Sequence, residues 1–113
     1  MLPPIILSIA GSDCSGGAGI QADIKTISAL GGYAASVITA VTAQNTLGVQ
    51  SVYPIPVDMV KAQITSVMDD LRPDAVKIGM VYDAGIVTTI VDCLQTYTPE
   101  CIVYDLSLIH ISE

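Results

Sequence analysis

Residues 5–19, IILSIAGSDCSGGAG, decide the fold that this sequence predicts. They begin with Ile5–Ala10, a short apolar run rich in β-branched residues, which is typical of a strand buried inside a sheet. A glycine-rich turn follows, and Ile20, Ile24, Ile27 and Leu30 then recur at helical spacing. The stretch therefore predicts a strand, a tight turn and a helix, which is how a βαβ unit begins.

The rest of the chain repeats this alternation of strand and helix. Apolar runs predict further strands at Ala34–Thr42, Val49–Tyr53, Ala75–Ile78 and Cys101–Tyr104. Apolar residues at helical spacing predict two more helices between them, within 57–71 and 86–94. We therefore predict an α/β fold with a mainly parallel sheet and flanking helices. In such sheets ligands bind at the carboxyl ends of the strands, so the loops that follow the strands are the places to look for a site.

The composition excludes several classes of protein. The chain has 113 residues, enough for one domain, and its 51% of hydrophobic residues excludes intrinsic disorder. Four Lys and Arg stand against eleven Asp and Glu, so the net charge is −7 and the basic footprint of a nucleic-acid binder is missing. No apolar run approaches the ~20 residues that span a bilayer. We expect neither a nucleic-acid nor a membrane partner, and the low charged fraction of 13% is more typical of part of a larger α/β protein.

The cysteines indicate a reducing compartment. Cys14, Cys93 and Cys101 are odd in number and have no Cys-x-x-Cys spacing, which disfavours a disulfide framework. A zinc site that would use the single histidine, His110, is disfavoured for the same reason. We expect three buried free thiols. The sequence also starts without the positively charged region of a signal peptide, so the expected location is cytoplasmic.

The glycine-rich turn matches two nucleotide-binding motifs only in part. The P-loop pattern is met at Gly11 and Gly16 but fails at Gly17-Ala18, where the lysine and the hydroxyl residue should stand. The dinucleotide fingerprint is weak on its own, and the acidic residue that it requires about 20 positions later is missing. Two acids, Asp13 and Asp23, flank the loop and would repel a pyrophosphate. The loop therefore suits a small, neutral, polar ligand better than a phosphate.

Three side chains near this loop are candidates for contacting such a ligand, and each has a second interpretation. Asp23 lies on the core-facing side of the first helix, where a carboxylate either accepts hydrogen bonds from a ligand or caps the first turn. Gln44 ends the second strand, where its amide either meets the edge of a heteroaromatic ring or forms a turn with Asn45. Met80 is either a soft wall for a flat ring or ordinary core.

Three motifs together make the sequence similar to a known family. They are the glycine-rich loop, Thr-Ala-Gln-Asn at 42–45 and Lys-Ile-Gly-Met at 77–80. The combination resembles the hydroxymethylpyrimidine/phosphomethylpyrimidine kinases of thiamine biosynthesis, in the ribokinase-like superfamily. The resemblance extends over residues 5–105 nearly without gaps. It implies a ribokinase-like fold, with the chain truncated after about half of the parent fold.

The resemblance also implies an activity and a site. The activity is ATP- and Mg²⁺-dependent phosphorylation of 4-amino-5-hydroxymethyl-2-methylpyrimidine and then of its monophosphate. The residues implied to line the pyrimidine pocket are Gly11, Ala18, Asp23, Gln44 and Met80. Asp105 matches an acid of the family that lies close to the phosphates of Mg-ATP. The complete enzyme is expected to bind a small aminopyrimidine and to be a homodimer.

The resemblance ends at Asp105. Residues 106–113, LSLIHISE, do not match the family and are predicted to be a non-native tail after a kinase segment at 1–105, so His110 receives no role. The family needs about as much chain again for its catalytic base and most of its ATP pocket. We therefore expect no catalytic residue and no metal ligand set here, and an inactive isolated chain. Three alternatives stay open: a pyridoxal or pyridoxine kinase of the same superfamily, a non-catalytic pyrimidine-binding module, and a truncated product without function.

Overall fold

A computed structural model describes residues 2–105 and gives them five strands and three helices. In chain order these are β1 (Ile5–Asp13), α1 (Gly19–Ala29), β2 (Tyr33–Asn45), β3 (Gly48–Pro54), α2 (Val57–Asp70), β4 (Ala75–Ile78), α3 (Ala84–Tyr97) and β5 (Ile102–Tyr104). Every predicted element is present, and β4 has the predicted bounds. The predicted tail at 106–113 lies outside the described residues. Of the helices in residues 2–105, none combines the length and the hydropathy that a membrane span requires.

The strands form one sheet in the order β3-β2-β1-β4-β5. β1 pairs in parallel with β2 and β4, and β4 pairs in parallel with β5, whereas β3 is antiparallel to β2. The prediction of an α/β fold with a mainly parallel sheet is therefore confirmed. Because β1, β2, β4 and β5 run in one direction, their carboxyl ends lie along one edge, and the loops that follow them meet there.

Helices cover both faces of the sheet. In β1, Leu7 and Ile9 are fully buried in the main core, which α2 and α3 complete. Burial of each such side chain stabilises the folded state by about 1.5–3 kcal/mol relative to leaving it exposed to water. Between them Ser8 faces the other side, where its hydroxyl donates to the carboxylate of Asp23 in α1. The alternation along β1 therefore places the core on one face of the sheet and the polar contacts of α1 on the other.

Two details of the packing differ from the prediction. Leu30, which the helical spacing puts on the core face, is 84% exposed, because α1 ends at Ala29 and Leu30 is only its C-cap. All three cysteines are free, as expected, and Cys93 is buried in α3. The expectation of burial is wrong for Cys14 and Cys101, since both lie outside the strands and helices and are exposed.

Candidate functional site

A cleft of about 330 Å³ opens at the carboxyl edge of the sheet, among the loops that follow β1, β2, β4 and β5. Five of the six predicted site residues line this cleft: Gly11, Ala18, Gln44, Met80 and Asp105. Other lining residues were not predicted to contact the ligand; they are Thr42 and Lys77, which belong to the quoted motifs, and residues that include Val49 and Tyr82. The sixth predicted residue, Asp23, is not in the lining. The proximity of these residues is observed, whereas their roles in binding stay predictions.

The glycine-rich loop is closed around the carboxylate of Asp13. This residue is only 2% exposed, and its Oδ1 accepts hydrogen bonds from Ser15 N–H at 2.8 Å and from the Ser15 hydroxyl at 2.7 Å. Its Oδ2 accepts from the N–H groups of Gly17 at 3.0 Å and Ala18 at 2.8 Å. The hydrogen bond from the Ser15 hydroxyl, followed by those from the three N–H groups, lowers the pKa of Asp13 against the opposing effect of desolvation. Asp13 therefore does not point outward to repel a phosphate; it occupies the amides that would bind one.

Two residues fix this loop onto β1 and α1. Gly19 has a φ of +61°, and a β-carbon there would collide with the carbonyl oxygen of Gly11, so only glycine fits where the loop passes over β1. Gln21 of α1 reaches back to the loop. Its Oε1 accepts from Asp13 N–H at 2.8 Å, and its Nε2 donates to the Ser12 hydroxyl at 2.8 Å. The part of the loop that carries Ala18 is thus fixed to β1 at Gly19 and to α1 through Gln21.

The amide of Gln44 is oriented by a short chain of hydrogen bonds. Its Nε2 donates to the Thr42 hydroxyl at 2.7 Å, and that hydroxyl donates to the carbonyl oxygen of Ser12 at 2.8 Å. None of residues 2–105 donates to Oε1 of Gln44, so this oxygen can accept a hydrogen bond from a ligand. The sulfur of Cys14 accepts from the backbone N–H of Gln44 at 3.3 Å and donates to its carbonyl oxygen at 3.2 Å. These contacts tie the loop to the end of β2.

Asp23 lies behind the cleft in an ion pair with Lys77. The Lys77 Nζ is 2.9 Å from Oδ1 and 3.0 Å from Oδ2 of Asp23, and the Ser8 hydroxyl donates to Oδ2 at 2.6 Å. The two side chains are 30% and 17% exposed respectively. Helix α1 has no acidic residue in its first turn and no side-chain cap, so the interpretation of Asp23 as a capping carboxylate is wrong. Because Lys77 lines the cleft, Asp23 balances the positive charge that this lysine brings to it.

Lys77 was predicted only as a member of the Lys-Ile-Gly-Met motif, although its position in the sequence carries a second signal. The four cations of the chain are Lys25, Lys61, Lys77 and Arg72. Of these, only Lys77 stands inside a predicted strand among apolar residues. A cation in that position needs a buried acceptor, which points to a carboxylate elsewhere in the chain.

Met80 and Asp105 reach the cleft just beyond the ends of β4 and β5. The Gly79 N–H donates to the carbonyl of Ile9 at 2.8 Å, and the Asp105 N–H donates to that of Ile78 at 2.9 Å. Both loops therefore continue the hydrogen bonding of the sheet past its strands. Tyr82 was missed because it lies in a loop, where no periodic pattern predicts the direction of a side chain.

Within residues 2–105, few groups are available to hold a triphosphate or a magnesium ion. The amides of the glycine-rich loop are filled by Asp13. In this part of the chain no three His, Cys, Asp or Glu side chains come close enough to hold a metal ion. Magnesium in kinases is held by one or two carboxylates together with phosphate oxygens, and Asp105 supplies one carboxylate at most. The arrangement suits the ring of a small ligand better than a triphosphate.

Comparison with known proteins identifies the relatives of this chain. A family model described as phosphomethylpyrimidine kinase matches residues 13–112. The hydroxymethylpyrimidine/phosphomethylpyrimidine kinase of Escherichia coli K12 is 58% identical over 99 residues, which are 88% of this chain and 37% of that protein. The chain thus spans little more than a third of the length of this curated relative.

Two solved structures extend the comparison to the fold. The phosphomethylpyrimidine kinase of Clostridium difficile 630 is 54% identical with a TM-score of 0.88, over 90% of this chain and 44% of that one. The pyridoxal kinase of Staphylococcus aureus, in complex with AMP-PCP and pyridoxal, is 31% identical with a TM-score of 0.83, over 93% of this chain and 39% of that one. The ribokinase-like fold that the sequence predicts is therefore confirmed.

Proposed function

This chain belongs to the phosphomethylpyrimidine kinase family, and from that membership we propose that its cleft binds the aminopyrimidine substrate of a hydroxymethylpyrimidine/phosphomethylpyrimidine kinase of thiamine biosynthesis. The substrate would be 4-amino-5-hydroxymethyl-2-methylpyrimidine and, in a second phosphorylation, its monophosphate. The observation that carries the proposal is the oriented amide of Gln44, which lines the cleft together with Lys77, a lysine whose charge is balanced by Asp23.

The polar groups of the cleft suit an uncharged heteroaromatic ring. Gln44 offers a free Oε1 and an amide nitrogen side by side, which matches a ring edge that carries both an amino group and a ring nitrogen. Met80 and Val49 supply apolar surface for the faces of a ring. A volume of about 330 Å³ lies within the range of small-molecule sites.

The cation and the loop amides near the cleft that could serve phosphoryl transfer are engaged within the protein. Transfer from ATP depends on a metal ion, on cations and on backbone amides that neutralise the charge of the transferred phosphoryl group. Here Lys77 is engaged by Asp23, and the loop amides are engaged by Asp13. ATP and Mg²⁺ would supply the phosphoryl group and part of that neutralisation when bound, with Asp105 on their side of the cleft. We therefore expect a polypeptide of these 113 residues alone to bind the pyrimidine without consuming ATP.

Calorimetric titration with the pyrimidine tests the binding step. We expect saturable binding by the 113-residue chain without ATP, and weakening of about tenfold in Gln44→Ala, because one or two hydrogen bonds to the ring are lost. Gln95→Ala is the matched control, since Gln95 is exposed on α3 and does not line the cleft; its affinity should equal that of the wild type. Absence of binding, or equal loss in both variants, would contradict the proposal.

A chimera tests the reaction. Residues 1–105 replace the matching segment of the E. coli kinase, and ATP consumption is measured with the pyrimidine and with pyridoxal as alternative substrates. We expect turnover with the pyrimidine at a rate near that of the parent kinase. A preference for pyridoxal would instead support the second candidate, a pyridoxal kinase, whose S. aureus representative shares this fold at lower identity.

Three further properties belong to the proposal. We propose that the complete kinase is a homodimer, supported by the exposed apolar side chains of Leu47, Val49 and Tyr53 on the hairpin of β2 and β3. The three free cysteines support a cytoplasmic location. The net charge of −7 supports the absence of a nucleic-acid partner. Sedimentation velocity of the chimera, with Tyr53→Lys as the disruptive variant, tests the dimer.

A further inference from the structure

Three backbone N–H groups of the glycine-rich loop converge on a single anion. They belong to Ser15, Gly17 and Ala18, and they lie 2.8–3.0 Å from the two carboxylate oxygens of Asp13. The loop also contains a positive φ at Gly16, whose carbonyl oxygen accepts from the Nζ of Lys25 at 2.9 Å. Successive amides that curve around an anion in this way form the nests in which many proteins bind phosphate. Here the protein fills the nest with its own side chain.

The contacts of Asp13 are not those of an ordinary helix cap. The N-cap of α1 is Ala18, which has no side-chain hydrogen bond to the helix, and Asp13 lies five positions before it. Among residues 2–105 the carboxylate accepts hydrogen bonds only from the loop, while the backbone N–H of Asp13 donates to Gln21 and its carbonyl accepts from Gly16 N–H. Its burial, 2% exposed at the edge of a sheet, follows from the loop closing over it. The loop conformation that presents Ala18 to the cleft therefore depends on this internal anion.

We propose that Asp13 is a positioning and specificity residue of the substrate cleft: its carboxylate holds the loop at 15–18 in the shape that binds the ring and excludes phosphate from the loop amides. The proposal rests on the function proposed above, because Ala18 and Gly11 form part of the same cleft. It also sets the orientation of a phosphorylated substrate. The phosphate of a pyrimidine monophosphate lies away from the loop at 15–18, on the other side of the ring.

Titration of the wild-type chain with inorganic phosphate tests the exclusion without any variant. We expect the amide resonances of Ser15, Gly17 and Ala18 not to move in the nuclear magnetic resonance spectrum as phosphate is added. Movement of these three signals would show an accessible nest and overturn the proposal. Because this titration contains no pyrimidine, it gives its answer even if the chain binds no pyrimidine and the proposed function fails.

Removal of the carboxylate tests the positioning. In Asp13→Ala the nest is vacated, and we expect pyrimidine affinity to fall about tenfold or more, since four charge-assisted hydrogen bonds to the loop are lost. Formate is small enough to replace the missing carboxylate, so formate should restore affinity in Asp13→Ala and leave the wild type unchanged; sodium chloride at equal ionic strength should do neither. Unchanged affinity in the variant, or a loss that formate does not reverse, would overturn the proposal.

A matched variant separates positioning from stability. Asp83 is the N-cap of α3, where its carboxylate accepts from Ile86 N–H at 3.1 Å, and it lies outside the cleft lining. Asp83→Ala should lower the stability of the fold without a formate effect on affinity. If Asp13→Ala does not fold, Asp13→Asn keeps the shape but removes the negative charge and sets an amide donor against at least one of the N–H groups. In that variant we expect faster hydrogen exchange at Gly17 and Ala18 than in the wild type, and equal exchange would count against the proposal.

Discussion

Two cavities lie at opposite edges of the sheet, and the one that we assign to substrate is the smaller. The cleft at the carboxyl edge has about 330 Å³, whereas a cavity of about 480 Å³ lies at the amino edge, where the chain enters β4 and β5. The charged residues of the larger cavity, Asp69, Arg72, Asp74 and Glu100, are all exposed. In the cleft, by contrast, Lys77 is tied to Asp23, and the neighbouring Asp13 is buried.

The difference lies in how far the hydrogen-bonded polar groups are shielded from water. Around the cleft, nearly every polar side chain has a partner that fixes its direction, as Thr42 does for Gln44. At the amino edge Asp69 and Asp74 also accept hydrogen bonds, from the Tyr97 hydroxyl and from Ile5 N–H, but both carboxylates are exposed to water, where such a bond contributes little. Recognition of a small ligand needs few but oriented groups, so organisation and not volume identifies the site. The following substitutions test this contrast, from the largest expected effect to the smallest.

Gly19→Ala should have the largest effect, because the cleft loop has no room for a β-carbon there. The φ of +61° and the collision with the Gly11 carbonyl oxygen together should lower the free energy of unfolding by about 3 kcal/mol. Gly31→Ala is the control, since Gly31 has a φ of +88° and open space around it. This substitution should lower the free energy of unfolding by only about 1 kcal/mol. Urea unfolding measures both; equal losses would mean that the close approach at Gly19 has no energetic weight.

Lys77→Met should have the second largest effect on stability. It leaves the carboxylate of Asp23 without its cation, and breaking a fully buried pair costs about 3–5 kcal/mol. Because the two side chains are 30% and 17% exposed, we expect a loss of about 2 kcal/mol, together with weaker pyrimidine binding. The same substitution at Lys61, which is exposed on α2, should change stability by less than about 0.5 kcal/mol. If the two variants behaved alike, the ion pair under the cleft would be irrelevant to the site.

Thr42→Val should act on affinity more than on stability. The substitution removes the hydroxyl that orients the Gln44 amide and that donates to the Ser12 carbonyl. We expect the free energy of unfolding to fall by about 1 kcal/mol and the dissociation constant for the pyrimidine to rise about fivefold. Thr88→Val removes a hydroxyl that also donates to a backbone carbonyl, but on α3. Its dissociation constant should stay at the wild-type value, and a rise there would point to a general loss of packing.

Tyr97→Phe at the amino edge should have the smallest effect. It removes the 2.8 Å hydrogen bond from Tyr97 to Asp69, both at the larger cavity, and should leave pyrimidine affinity unchanged. That hydrogen bond, and after it burial, raises the pKa of Tyr97 above its ordinary value of 10.0. The stability that this tyrosine contributes is therefore present below pH 10 and is lost as the pH rises through the raised pKa. Unfolding curves of both proteins should converge in strong alkali, and a loss of affinity in this variant would break the contrast between the two edges.

Local pattern was sufficient to predict most of the fold. The bounds of β4 were predicted to the residue because Pro73 precedes a short β-branched run and Gly79 follows it. The end of β1 was predicted three residues early, at Ala10. The strand continues to Asp13, because pairing with β2 resumes after a bulge, with Ser12 opposite Val41. Pairing across strands is not visible in local sequence.

The sequence predicted most of the residues that line the cleft, but it did not predict the contacts between them. Motif resemblance named Gly11, Gln44 and Met80, and the shared direction of the strands brings them together. The partnership of Asp23 with Lys77 joins positions 54 apart, so no spacing rule could find it. For Asp13, the sequence gives a charge but not its direction. Whether that charge repels a ligand or fills the loop depends on how the loop folds around it.

A titration of the labelled 113-residue chain with 4-amino-5-hydroxymethyl-2-methylpyrimidine, followed by nuclear magnetic resonance, tests the central claim most directly. If the carboxyl-edge cleft is the substrate site, the backbone signals of Gly11, Ala18, Gln44 and Met80 should shift together and saturate with one dissociation constant. The signals of Asp69 and Tyr97 at the larger cavity should stay in place. Shifts confined to the larger cavity, or no saturable shift anywhere, would contradict the account.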